Sequence, residues 1–432
     1  MGLLDCTISK KEQDWKQENM PRLSVDAKRQ ESSPTQFSKP PDLAERRLRR
    51  IGAWLMLILA LQAELGLAWD RNWHDLVGRN EFFTPPHIML YSGIAGSGLI
   101  ALFVVLVDTY RYYKKKPGVD DNSTVRILHF FHAPLGYIIL GFGALIDLLA
   151  APLDNYWHIL YGIDVTLWSP FHLMGTVGGI IVGLGIAFVF ASEAVIERQS
   201  AYPPRRFLGL SGFEWGTLLV LSAFMNLTIP ADTAFIPVTL GSLQFITYPL
   251  PLAFTAAFSL IAAVKFTRKR GSALFTAILL WIETLYTMAF VPVAIRIMVT
   301  RLGLHYRFPN RPGGTPVFNV TLALLPLVFV VSALIVDGIV FSKHLHSKGQ
   351  NDTLSKVWLA GTLIALPALI LPPLITEFVL SIPALLPLPV GVSIFEPIWS
   401  SSLLTLPLVL FAGILGAILG ASFGDFWHSN TH

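Results

Sequence analysis

The stretch Ile51-Gly-Ala-Trp-Leu-Met-Leu-Ile-Leu-Ala-Leu-Gln-Ala-Glu-Leu-Gly-Leu-Ala-Trp69 runs directly into Asp70-Arg-Asn-Trp73-His74. A helix rises 1.5 Å per residue, so 51–69 is long enough to cross roughly 30 Å of hydrocarbon. The basic run Arg46-Arg47-Leu48-Arg49-Arg50 before it marks a cytoplasmic entry and makes this segment the expected insertion signal. The span ends on a carboxylate and an imidazole four residues apart, which on a helix lie one turn apart on one face.

Outward from this segment the pattern repeats. Further apolar stretches at 86–109, 126–151, 169–193, 207–229, 246–266, 272–298, 316–341, 356–379 and 401–423 predict about ten spans at ~20 residues each. The fold class is therefore all-α, a polytopic transmembrane helical bundle in a lipid bilayer. Composition agrees: 53% of the 432 residues are apolar and 14% charged, which excludes a soluble enzyme. The net charge of +4 comes largely from the amino-terminal tail and short loops, so nucleic-acid binding is not expected.

Lys and Arg occupy the loops 110–126, 195–206, 267–271 and 342–356 and are missing from 152–168, 230–245 and 380–400. This alternation predicts a multi-pass cell-membrane protein with both termini cytoplasmic. The loop 299–315, with Arg301, Arg307 and Arg311, is the exception. The prolines from Pro367 to Pro389 suggest a broken or re-entrant end to the ninth span. Residues 1–45 are polar and are expected to form a disordered cytoplasmic tail; no signal-peptide pattern opens them. The one cysteine, Cys6, excludes a disulfide framework or a Cys-ligated metal within this chain.

The first half contains an internal repeat. Asp70-Arg-Asn-Trp73-His74 and Gly78 return 84 residues later as Asp154-Asn-Tyr-Trp157-His158 and Gly162; Thr84-Pro-Pro-His87-Ile-Met returns as Ser169-Pro-Phe-His172-Leu-Met. Each copy reads as a helical hairpin. The Asp and first His end one span, and the second His follows a Thr or Ser suited to N-capping and a Pro suited to the first turn of the next. The hairpin brings His87 back to Asp70 and His74, and His172 back to Asp154 and His158, near the outer face. Two imidazoles and a carboxylate with open positions suit copper, non-haem iron or zinc. A single His near a membrane interface is as readily a helix-pairing residue. Two triads of nearly equal spacing are hard to explain that way, because ionisable groups at membrane depth cost ~2.5–3.5 kcal/mol on insertion scales. Trp73 and Trp157 read as interface anchors.

These residues resemble a metal-binding membrane subunit of the copper membrane monooxygenases, the particulate methane and ammonia monooxygenase family. Asp70-x-x-Trp73-His74 with Phe83-Thr84-Pro85-x-His87-Ile88 is similar to that family's first intramembrane copper motif. Asp154, His158 and His172 are similar to the neighbouring site, which in the family begins with Asn where this chain has Asp154. The resemblance covers about residues 50–195. It implies copper at one or both triads, with Asp70, His74 and His87 at the catalytic centre. It further implies oxidation of a small, poorly reactive substrate, with partner membrane subunits and an electron donor such as quinol. The expected organisation is a four-helix metal-binding unit over 46–200 and about six further helices over 201–432. Rival readings are a metal or proton transporter and a non-catalytic metal-stabilised scaffold.

Other polar candidates are fewer. His129 and His132 are expected to start the third span, three apart. Glu64 and Asp147 precede the triads by one to two turns and suit second-sphere or proton-path roles. Glu214, Glu283, Asp337 and Arg296 are the ionisable residues expected at depth in the second half, whereas His305, His344, His346, His428 and His432 fall in loops or at the tail. Asp425 and His428 read as a solvated terminus.

Overall fold

The computed structural model describes residues 43–78, 82–116, 124–162, 169–200, 204–226, 237–310, 313–341, 350–380 and 402–429. In the first half, α1 (Leu43–Leu76), α2 (Pro85–Tyr113), α3 (Leu135–Tyr161) and α4 (Pro170–Gln199) form two antiparallel hairpins. Then come α5 (Gly212–Asn226), α6 (Pro249–Thr267), α7 (Ser272–Arg301), α8 (Val320–Leu324), α9 (Leu327–Val340), α10 (Gln350–Leu380) and α11 (Ser402–Ser429). Nine helical segments among the described residues are long and apolar enough to cross a membrane, α8 and α9 counting as one segment. The protein is thus a multi-pass, helical membrane protein.

Several segments differ from the sequence reading. The expected span at 207–229 corresponds to α5, whose 15 residues cover about 22 Å. Helix α10 runs unbroken through Pro367, Pro372 and Pro373; it is not re-entrant over the described residues, and Pro383, Pro387 and Pro389 lie outside them. Helix α1 begins at Leu43, inside the segment assigned to the tail, because Glu45 and Arg49 pair one turn apart at 2.6 Å. The rest of the tail, 1–42, lies outside the described residues, as do His344, His346 and His432.

The third span starts at Leu135 instead of 126. Ahead of it, β1 (Thr124–Ile127) and β2 (Phe131–Pro134) pair antiparallel, and the turn between them holds Leu128 and His129 at positive φ. His129 and His132 therefore do not share a helix face. His132 instead stacks on Tyr112, with ring centroids 3.5 Å apart. A second small hairpin, β3 (Pro237–Leu240) with β4 (Leu243–Ile246), precedes α6.

Each hairpin crosses tightly at a glycine. A Cβ at Gly93 on α2 would stand 2.5 Å from the Leu59 carbonyl and 2.9 Å from Ala63 Cβ on α1; one at Gly178 on α4 would meet Asp147 on α3 at 2.9 Å. Gly93 and Gly178 each lie six residues after the second histidine of their copy, so the repeat extends from ligand spacing to helix packing. Close backbone approach of this kind is what drives helix pairing within lipid.

The core does not divide at residue 200. Phe213, Val220 and Phe266 pack into the first-half core around Met56, Tyr137 and Phe190. Trp69 and Trp73 join Val291, Ile295 and Val299 of α7 in another core. Trp73, expected at the interface, is 1% exposed: it anchors α1 to α7 because α7 supplies a complementary apolar face. The Arg307 N–H donates to the Leu76 carbonyl at 2.8 Å, so the arginine-bearing segment after α7 sits at the triad end of α1.

Candidate metal centre

Asp70 and His74 occupy the last two turns of α1, and His87 lies in the first turn of α2. Thr84 caps α2 by accepting from the His87 N–H, with Pro85 opening the helix. The second copy is built alike: Asp154 and His158 end α3, and Ser169 caps α4 by accepting from the His172 N–H at 3.2 Å. The caps fix where each second imidazole leaves the backbone.

The three side chains of each copy converge. His74 Nε2 and His87 Nε2 lie 3.5 and 3.0 Å from Asp70 Oδ1. His158 Nε2 and His172 Nε2 each lie 3.2 Å from Asp154 Oδ2. The imidazole centroids are 5.5 Å apart in both triads. In each, one donor atom per residue falls within 4.8 Å of the other two.

Proton counting separates a ligand set from an ion-pair cluster. His87 Nδ1 is 3.0 Å from the Phe82 carbonyl, and His158 Nδ1 is 3.2 Å from the Gly162 carbonyl. A carbonyl only accepts, so both Nδ1 atoms carry the proton and the neutral ring presents a lone pair at Nε2. Those lone pairs face a carboxylate, which also only accepts. Asp70 Oδ1 is closed to solvent and accepts no hydrogen bond despite its two imidazole neighbours. Three acceptors turned on one point fit a cation, and a ligating His commonly donates its other N–H to a backbone carbonyl. The His/Asp donor set fits copper, iron or zinc, and it does not select among them.

The surroundings of the two triads differ. His74 and His87 are 15% and 14% exposed, and His172 is 30% exposed. Phe82 stacks on Tyr91 at 5.9 Å, and both rings lie beside His87. Trp157 packs on Tyr161 and Phe171 beside the second triad. Sequence reasoning missed the Phe82 and Gly162 carbonyls. The signal for Gly162 was its place just past α3 at φ +85°, a conformation that selects glycine.

Glu64 and Asp147 are not equivalent. Asp147 holds the repeat position of Ala63 and lies against Gly175 and Gly178 of α4; Glu64 turns the other way and accepts from Asn226 of α5 at 2.7 Å. In the second half, Glu214 is held by Arg198, Lys269 and the Ser211 N–H. Asp337 accepts from the Gly271 and Leu274 N–H groups at the start of α7. Arg296 donates to the Pro316 carbonyl, and Asp425 pairs with Lys265 and Arg268. These groups brace helices.

No family model, no curated protein and no solved structure matches the chain.

Proposed function

We propose that this chain is a membrane subunit that binds transition metal at its two triads, with copper at Asp70, His74 and His87, and that it belongs to oxidative chemistry of the monooxygenase kind. The observation that carries the reading is the duplicated convergence of two imidazoles and one carboxylate on a single point, with a ring proton of one imidazole per copy donated to a backbone carbonyl. Bound copper would supply one-electron redox chemistry toward dioxygen. The chain's own part is to hold three donors rigidly at the ends of two capped helices and to screen the first triad with Phe82 and Tyr91. The substrate class is a small, poorly reactive molecule; partner membrane subunits and an electron donor complete the system.

A transporter fits less well. The second-half groups proposed to continue its path, Glu214 and Asp337, are spent on ion pairs and a helix start. The test is elemental analysis of purified protein beside His74→Ala, His158→Ala and the double variant. Copper should fall stepwise and vanish in the double variant; unchanged copper, iron and zinc in all three sinks the metal-site reading. Dioxygen uptake with an added reductant, lost in His74→Ala, separates oxidation from ion transport and from a scaffold role.

A further inference from the structure

Glu64 on α1 and Glu283 on α7 lie deep in their helices, twelve and eighteen residues before the helix ends at Leu76 and Arg301. Each meets a polar residue of the same third helix. Asn226 Nδ2 of α5 donates to Glu64 Oε1 at 2.7 Å, and Ser222 Oγ, one turn earlier on α5, lies 2.7 Å from Glu283 Oε1. The Glu64 charge acts directly on Glu283. Among the described residues no Lys, Arg or His pairs with either carboxyl. An isolated carboxylate within a bilayer is costly, and intramembrane carboxyls persist where they have a task.

A second observation, independent of charge, points to a ligand. Ser222 Oγ is also 2.7 Å from the Leu219 carbonyl. One hydroxyl proton faces two acceptors at that distance, and the carbonyl can never donate. The arrangement is satisfied when Ser222 donates to Leu219 and Glu283 Oε1–H donates to Ser222. Glu283 Oε2 is closed to solvent and has no hydrogen-bond partner, as a neutral carboxyl carbonyl tolerates far better than an anion.

We infer that Glu64 and Glu283 form an intramembrane proton-binding site, in which one exchangeable proton rests on Glu283 and is shared with Glu64 through the polar face of α5. The site joins the first hairpin to the second half of the chain. It starts about 9 Å below Asp70 along α1, where a proton could enter or leave the neighbourhood of the first triad. It does not depend on what the triads bind.

The experiment uses the full chain in lipid nanodiscs. Infrared difference spectra between acidic and alkaline buffer should show a protonated-carboxyl C=O band at neutral pH that shifts down in heavy water and disappears in Glu283→Gln. The amide can donate to Ser222 as the protonated acid does, so this variant should fold and keep its metal content. A hydrophobic carbodiimide should label Glu283 in the native chain, with labelling falling as pH rises. The proposal is overturned by absence of the band in the native protein, by its survival in Glu283→Gln, by its loss in Glu64→Gln alone, or by sodium protecting against the carbodiimide at constant pH, which would mark a metal-cation site. Retained copper beside any of these results leaves the triad reading standing.

Discussion

The Nδ1–H of His87 donates to the Phe82 carbonyl at 3.0 Å, and that bond decides which nitrogen of the ring turns toward Asp70. The loop before α2 thus fixes the tautomer of a ligand, and the N-cap at Thr84 fixes its position.

Replacing His87 by Ala removes one of three donors from the first triad and leaves the second copy intact. Loss of even an outer-sphere partner costs 10–100-fold in metal affinity, so the first site should weaken by at least about tenfold. Titration against a competing chelator reads this directly. Two undiminished binding steps would show that His87 is not a ligand.

Gly162→Ala addresses the second triad without touching a ligand. The residue sits at φ +85°, ψ 178°, a region that costs a non-glycine residue ~1–3 kcal/mol, and its carbonyl receives His158 Nδ1. Metal affinity at the second site should drop about tenfold, with the first site unchanged, because 1.4 kcal/mol is one decade. An equal loss at both sites would mean that the change acts through the whole fold.

At the other end of the first hairpin, Arg49 joins Glu45 at 2.6 Å and Asp108 at 2.9 Å, with all three side chains nearly inaccessible. Arg49→Ala strands two buried carboxylates, an error worth ~3–5 kcal/mol, so thermal unfolding in detergent should move sharply down. Arg268, paired with Asp425 but 45% exposed, is the contrast: Arg268→Ala should cost under about 1 kcal/mol. Equal shifts for the two would remove the distinction between buried and solvated pairs.

The hairpin crossing gives a steric prediction. Gly93→Ala pushes a methyl group against the Leu59 carbonyl, and overpacking of this kind costs ~1–3 kcal/mol. Gly141→Ala meets nothing within 4 Å and should leave the unfolding temperature unchanged. Sensitivity at Gly141 equal to that at Gly93 would argue against the close α1–α2 contact.

Much of this was legible because it is local. Asp70 and His74, or Asp154 and His158, need only the helical period to share a face, and Thr84-Pro85 or Ser169-Pro170 announce the helix start that aims the last ligand. The misreadings arise where distant parts of the chain decide. Trp73 looks like an interfacial tryptophan until α7, more than 200 residues later, buries it. His129 and His132 look like helix neighbours, but two consecutive positive-φ residues turn the chain into a hairpin. Glu64 and Asp147 look paired by distance from their triads, yet a one-residue offset in the repeat turns them to opposite partners. Nothing local links Glu64 to Glu283, because Asn226 and Ser222 of a third helix connect them.

The bond from Arg307 to Leu76, with Trp73 held against α7, also means that the duplicated hairpins are unequal in what supports them. The outer end of α3 displays Tyr156, Ile159 and Tyr161, whereas the outer end of α1 is clasped by the far half of the chain. A fragment cut at residue 200, the seam that the repeat invites, would retain the second ligand set with its own supports and strip the first of its brace. The better-screened triad belongs to the intact polypeptide, and the molecule cannot be dissected along its apparent duplication without losing it.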